Sequence, residues 1–136
     1  MKLVVNATLG AAIVAFGEAL ALATSLRLDR TAVLDVLAES PIGPAVRAKR
    51  ANVEANRYPP SFQLRHAAKD MRLVAEAAEA AGLDLKEARA ACAWLDEALR
   101  HGAGELDYSA VVATILSTSP SQEVFGTFPN VSWRSS

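Results

Sequence analysis

Apolar side chains recur at three- and four-residue steps from the very start of the chain. Leu3, Ala7, Gly10, Ala11, Val14 and Ala21, with Glu18 in register, fall on one side of a helix spanning residues 3–27. Most of the other positions there are apolar too, which predicts a long helix buried nearly all round. Gly10 and Gly17 each weaken a helix interior by about 1 kcal/mol relative to alanine. Small residues at these points let another helix approach closely. A second helix over residues 32–39, opened by Asp29 or Thr31, presents Val33, Leu34, Val36 and Leu37. The run Ser40-Pro41-Ile42-Gly43-Pro44 breaks it. A shorter, more polar helix is expected over residues 45–55. Tyr58-Pro59-Pro60-Ser61 is the next loop, with Tyr58 and Pro59 held extended by the following prolines. Residues 65–81 then carry a stripe of Met71, Val74, Ala75 and Ala78, stopped by Gly82. Residues 86–100 turn Ala90, Ala91, Trp94, Leu95 and Ala98 inward and end at His101-Gly102-Ala103-Gly104. Asp107 is a suitable N-cap for a last helix over residues 108–116. The pattern therefore predicts about six helices, a long first one, and no strand.

Periodicity stops after residue 116. Six of the 20 residues from 117 to 136 are serine. This segment is expected to be a mobile tail, with Phe125, Phe128 and Trp133 able to dock.

Composition narrows the class. Of the 136 residues 28 are alanine, and only 6% are aromatic. Alanine favours helices, and strand-forming aromatics are scarce, so an all-α domain is expected and not an all-β one. The length suits one domain. It leaves no room for a Rossmann half beside a second, substrate-binding half. Lys and Arg number 14 against 15 Asp and Glu. No basic field exists to neutralise phosphates, so no nucleic-acid partner is expected. The lone Cys92 cannot form an internal disulfide and reads as a small buried hydrophobe. The apolar stretch 3–23 is broken by Asn6, Thr8, Gly17 and Glu18, and neither a membrane span nor a signal peptide is expected. A cytoplasmic location is the expectation.

Few residues suggest chemistry by spacing. Lys2 and Asn6 are four apart and share a helix face, where an ammonium and an amide could act on one bound oxygen. Lys69 and Asp70 sit mid-helix, and His66 lies four before Asp70, a spacing at which the two could pair. By pattern alone the plainer accounts are stronger: an exposed terminal lysine, a helix-start asparagine and a solvated helix face. No His, Cys, Asp or Glu cluster has metal-ligand spacing, and no metal is expected. Gly102-x-Gly104 follows a helix rather than a strand, the wrong context for a dinucleotide loop.

Taken in order, however, these segments resemble a known family. Met1-Lys2-Leu3-Val4-Val5-Asn6 is similar to the K-x-x-x-N motif of the β-hydroxyacid dehydrogenases. Phe16-Gly17-Glu18-Ala19-Leu20-Ala21-Leu22-Ala23 resembles the E-A-L-x-L-A stretch that follows it. Tyr58-Pro59-Pro60-Ser61-Phe62-Gln63-Leu64-Arg65-His66 with Lys69-Asp70-Met71-Arg72-Leu73 is similar to Y-P-P-x-F-x-L-K-H…K-D-M-R-L. The stretch from Gly102 to Ala110 resembles G-x-G-x-x-D-x-S-A. The middle block points to the glyoxylate/succinic semialdehyde reductase branch.

The resemblance covers residues 1–116 and implies the helical C-terminal domain of the 6-phosphogluconate-dehydrogenase-like fold. It implies roles as well. Lys2 matches the catalytic lysine that polarises a carbonyl and supplies its proton. Asn6 matches the substrate-orienting asparagine. Phe62 and Asp70 match positions lining the substrate end of the cleft, and Lys69 matches a lysine reaching NADP or NAD. A small-molecule acid substrate and a homodimer are implied too. The family's Rossmann domain and its glycine-rich run precede the lysine motif and are expected to be missing here. The isolated chain is therefore expected to be inactive unless a separate Rossmann domain joins it. The alternative expectation is a non-catalytic dimerisation or interaction module.

Overall fold

The computed structural model describes residues 1–118. The rest of the expected tail, with Phe125, Phe128 and Trp133, lies outside the described residues. Six α-helices follow one another: α1 (Lys2–Ser25), α2 (Arg30–Ala38), α3 (Gly43–Ala55), α4 (Leu64–Ala80), α5 (Lys86–Arg100) and α6 (Val111–Ser117). A 3-10 turn, Tyr108–Ala110, leads into α6. No strand occurs among the described residues, only an isolated antiparallel bridge between Gln63 and Asp107. The all-α expectation holds.

The axis of the fold is α1, which packs against all five other helices. Ile13, Val14, Phe16 and Leu20 are its buried ridge. The two glycines are contact points. A Cβ on Gly10 would lie 2.5 Å from Met71 Sδ of α4, and one on Gly17 would lie 2.5 Å from Ile115 Cδ1 of α6. Each missing side chain sets how closely the neighbouring helix approaches. In length and hydropathy alone α1 could cross a membrane, at 24 residues and 1.8. A third of that apolar stretch is buried within the bundle.

One expectation needs correction. The long helix is not buried nearly all round. Leu3, Val4, Val5 and Leu22 are exposed. The first turn lies at the edge of the bundle, where Leu3 and Val4 line an open groove with Val74, Ala78 and Leu83.

Local signals set most boundaries. The Asp29 carboxylate caps α2 by accepting from the Ala32 N–H at 2.9 Å, an interaction worth about 1 kcal/mol. Pro44 stands in the first turn of α3, so that helix starts at Gly43, ahead of the expected residue 45. Gly82, at φ 71, follows the end of α4. In α2 only Leu34 and Ala38 are buried, and Val36 faces solvent. In α5 the buried face is Ala88, Ala91, Leu95 and Ala98, while Ala90 is exposed.

The segment before α4 is zipped to the segment before α6. The Asp107 N–H donates to Tyr58 O (3.0 Å), and the Tyr108 N–H donates to Phe62 O (2.8 Å). The Leu64 N–H donates to Leu106 O (2.8 Å) and the Arg65 N–H to Gly104 O (3.0 Å). These four bonds fix the Pro-Pro-Ser-Phe loop against the entrance of α6, beside the N-terminal half of α1.

Candidate functional site

Where the first turns of α1 meet that loop and α4, a small crevice opens. Asn6, Phe62, Asp70 and Tyr108 line it, over a floor of Ile13, Met71 and Leu95. Its free volume is about 10 Å³, close to the minimum that holds one water. The Asn6 Nδ2 donates to Asp70 Oδ2 at 3.1 Å. Phe62 meets Tyr108 edge-on, with centroids 6.0 Å apart and planes at 66°. It also stacks on His66 at 6.2 Å.

Three of the five residues singled out by resemblance thus converge: Asn6, Phe62 and Asp70. Lys2 lies one helical turn before Asn6 on the same face, exposed on the rim. Lys69 is exposed beside Asp70 on α4. Among the described residues neither lysine makes an ion pair. The suggested pairing of His66 with Asp70 does not form. The Asp70 carboxylate turns to Asn6 across the helix interface, and His66 lies on Phe62 instead.

A second polar cluster lies directly behind the crevice. The sequence marks Asp107 as a helix cap and places Ser61, Phe62 and Ser109 within motif stretches, but assigns no role to Lys49. Lys49 on α3 reaches it, with Nζ 3.0 Å from Asp107 Oδ2 and donating to Ser61 Oγ at 3.1 Å. Asp107 Oδ1 accepts from the Ser61 N–H (3.1 Å), the Ser61 hydroxyl (3.0 Å) and the Phe62 N–H (3.2 Å). Asp107 Oδ2 accepts from the Ser109 N–H (3.1 Å) and hydroxyl (2.5 Å). Asp107 is fully buried. Burial by itself pushes its pKa up. The bonds from the Ser109 hydroxyl, Lys49 and the Phe62 and Ser109 N–H groups outweigh that and hold the carboxyl far below the ordinary range.

Two other side chains behave as packing. Cys92 is half-buried, and burial, with Asp96 beside it, raises its thiol pKa. That is the opposite of an activated nucleophile. A nicotinamide cofactor fits this surface only at its edge. The crevice offers an amide donor, a carboxylate and aromatic walls, with two lysines on the rim. Among the described residues no strand–glycine loop–helix cradle for a pyrophosphate occurs.

Comparison with known proteins bears on these residues. Residues 1–115 match the family model described as the NAD-binding of NADP-dependent 3-hydroxyisobutyrate dehydrogenase. The chain is 34% identical over 116 residues to glyoxylate/succinic semialdehyde reductase 1 of Arabidopsis thaliana, across 85% of this chain and 40% of that protein. It is 32% identical to the chloroplastic glyoxylate/succinic semialdehyde reductase 2 of the same plant, across 85% and 32%. It therefore spans two fifths or less of the length of these relatives. The crystal structure of 3-hydroxyisobutyrate dehydrogenase from Salmonella typhimurium superposes with a TM-score of 0.76 at 28% identity, covering 83% of this chain and 40% of that one. The Mycobacterium tuberculosis 3-hydroxyisobutyrate dehydrogenase with L-serine gives 0.71 at 22% identity, over 84% and 42%, a likeness of fold.

Proposed function

The chain belongs to the family of the NAD-binding domain of NADP-dependent 3-hydroxyisobutyrate dehydrogenase, and on that premise we propose that it forms the helical, substrate-facing part of an NAD(P)-dependent reductase of small aldehyde or keto acids. The observation that carries this reading is the Asn6–Asp70 contact beside Phe62. It joins residues 64 positions apart in sequence, below a lysine one turn away.

Reduction of a carbonyl needs a hydride at carbon and a proton at oxygen. A reduced nicotinamide, when bound, supplies the hydride. The Lys2 ammonium supplies the proton. The Asn6 amide has two N–H donors. Asp70 holds one, which orients the group and leaves the other for a substrate oxygen. The Phe62 and Tyr108 rings keep the pocket narrow and apolar, excluding water from the reacting carbon. Lys69 offers a cation to the anionic cofactor, whose phosphates a Rossmann unit would cradle.

The test pairs the chain with the nucleotide-binding domain of a relative and follows NADPH oxidation with glyoxylate and with succinic semialdehyde. Turnover with these acids is expected. The chain alone is expected to bind NADPH no tighter than about 1 mM by calorimetry, roughly 4 kcal/mol. A folded pairing that turns over neither acid removes the reading.

A second reading rests on a different surface. A groove of about 430 Å³ runs between the end of α1 and α2, lined by Leu22, Leu26, Leu28, Val33 and Val36. Leu22 is 61% exposed and Val36 69%. Contiguous apolar surface of this kind marks association, and a homodimer covers it. Light scattering at micromolar concentration is expected to give twice the 14.4 kDa chain mass. A stable monomer counts against association as the function of this face.

A further inference from the structure

The cluster behind the crevice has a geometry that fold stability alone does not call for. Buried ion pairs can often be replaced by apolar residues of similar volume with no loss of stability. Lys49 and Asp107 are nevertheless placed so that one ammonium touches one wall of the site directly and reaches the other through the carboxylate. Lys49 is buried, at 9% exposure. Its Nζ lies 4.7 Å from the centroid of the Tyr108 ring, within the range of a cation–π contact. The same Nζ is bound to Asp107, whose other oxygen holds the Phe62 N–H at 3.2 Å. The path from Nζ thus runs directly to the Tyr108 ring and through one carboxylate to the backbone of Phe62. The Tyr108 N–H then closes the loop onto Phe62 O at 2.8 Å. These two rings meet edge-on at the side of the crevice, with centroids 6.0 Å apart.

We infer that Lys49 is a positioning residue for the site: its ammonium, clamped between Asp107 and the Tyr108 ring, sets the separation and tilt of the Phe62 and Tyr108 walls. The crevice has room for about one water, so an acid enters only as its walls part, and Lys49 therefore acts on admission of the acid and not on the chemistry at the carbonyl. What occupies the crevice rests on the reductase reading, whereas the placement of the walls does not.

The test uses the full 136-residue chain, isotope-labelled, with Lys49→Met and Ser61→Ala variants. Lys49→Met keeps chain length and removes the charge. It is expected to retain the helical circular dichroism of the parent, to lose the Phe62–Tyr108 ring cross-peaks in NMR spectra, and to raise amide exchange at Phe62 about tenfold. A folded Lys49→Met chain with ring cross-peaks and Phe62 protection unchanged overturns the inference. Should that variant not fold, Ser61→Ala decides. It removes the hydroxyl between Lys49 and Asp107 and is expected to raise Phe62 exchange about threefold; unchanged protection overturns the inference. In a pairing that turns over succinic semialdehyde, Lys49→Met is expected to raise KM about tenfold with kcat within twofold. An unchanged KM there overturns the role in substrate admission. A pairing inactive in all forms removes the reductase reading, while the NMR comparison still decides the positioning role.

Discussion

Replacing Lys2 with alanine is expected to lower kcat of the paired, active protein by about 10²–10⁴-fold, the usual worth of a positioned general acid. Stability should be unchanged. Lys2 is exposed in the first turn of α1. Truncation there removes no core contact and opens no cavity, so the kinetic loss cannot be a folding loss. KM should move far less than kcat, because the proton is needed when charge develops on the carbonyl oxygen and not when the acid binds. Lys2→Arg separates charge from proton transfer. A guanidinium keeps the positive charge but does not give up a proton near neutral pH, so arginine is expected to leave kcat almost as low as alanine does. Single-turnover NADPH oxidation measures the step directly. A Lys2→Ala protein with the parental rate would show that another group protonates the oxygen.

The helices were legible because their apolar periods and end signals agree. Asp29, Pro44, Gly82 and the Gly102–Gly104 pair all stand where the chain changes direction. Facing was less legible, and alanine explains why. In α5 both Ala88 and Ala90 fit an apolar stripe, since a methyl group is tolerated on either side of a helix. Only the fold shows that Ala88 is buried and Ala90 is not. The exposed start of α1 was hidden for a related reason. Periodicity reports which residues can be buried, not whether the chain has enough partner surface to bury them.

The site was legible only through resemblance. Asn6 and Asp70 meet across 64 residues, a distance over which no spacing rule operates. The local rule pointed elsewhere, from Asp70 to His66, and the long-range amide won. Lys49, in contrast, left a usable signal. It falls in register with Val46 and Val53, the buried stripe of α3. A lysine in such a stripe needs a buried carboxylate, and Asp107, already read as a cap, was available to answer it.

That carboxylate carries the largest expected effect on stability. Asp107→Ala should destabilise the fold by about 3–5 kcal/mol in urea denaturation, the cost of leaving one member of a buried pair alone. Asp107→Asn should cost nearly as much despite its matching shape. It deprives the Lys49 ammonium of its counter-charge and turns an amide NH₂ either toward the N–H donors of Ser61 and Phe62 or toward the Ser109 N–H and the ammonium itself. The pH dependence supplies a signature that loss of packing would not. The folded pKa of Asp107 is depressed below an unfolded value near 3.9. Its contribution is therefore complete above that unfolded value and is lost progressively as pH falls below it toward the folded one. The parent should lose stability between about pH 5 and pH 2 more steeply than the Asp107→Asn variant, whose amide does not titrate. The gap between the two, several kcal/mol at pH 7, should narrow through that window. A gap that stays constant from pH 7 to pH 2 would mean that the ionised carboxylate is not what holds the loop, the 3-10 turn and α3 together.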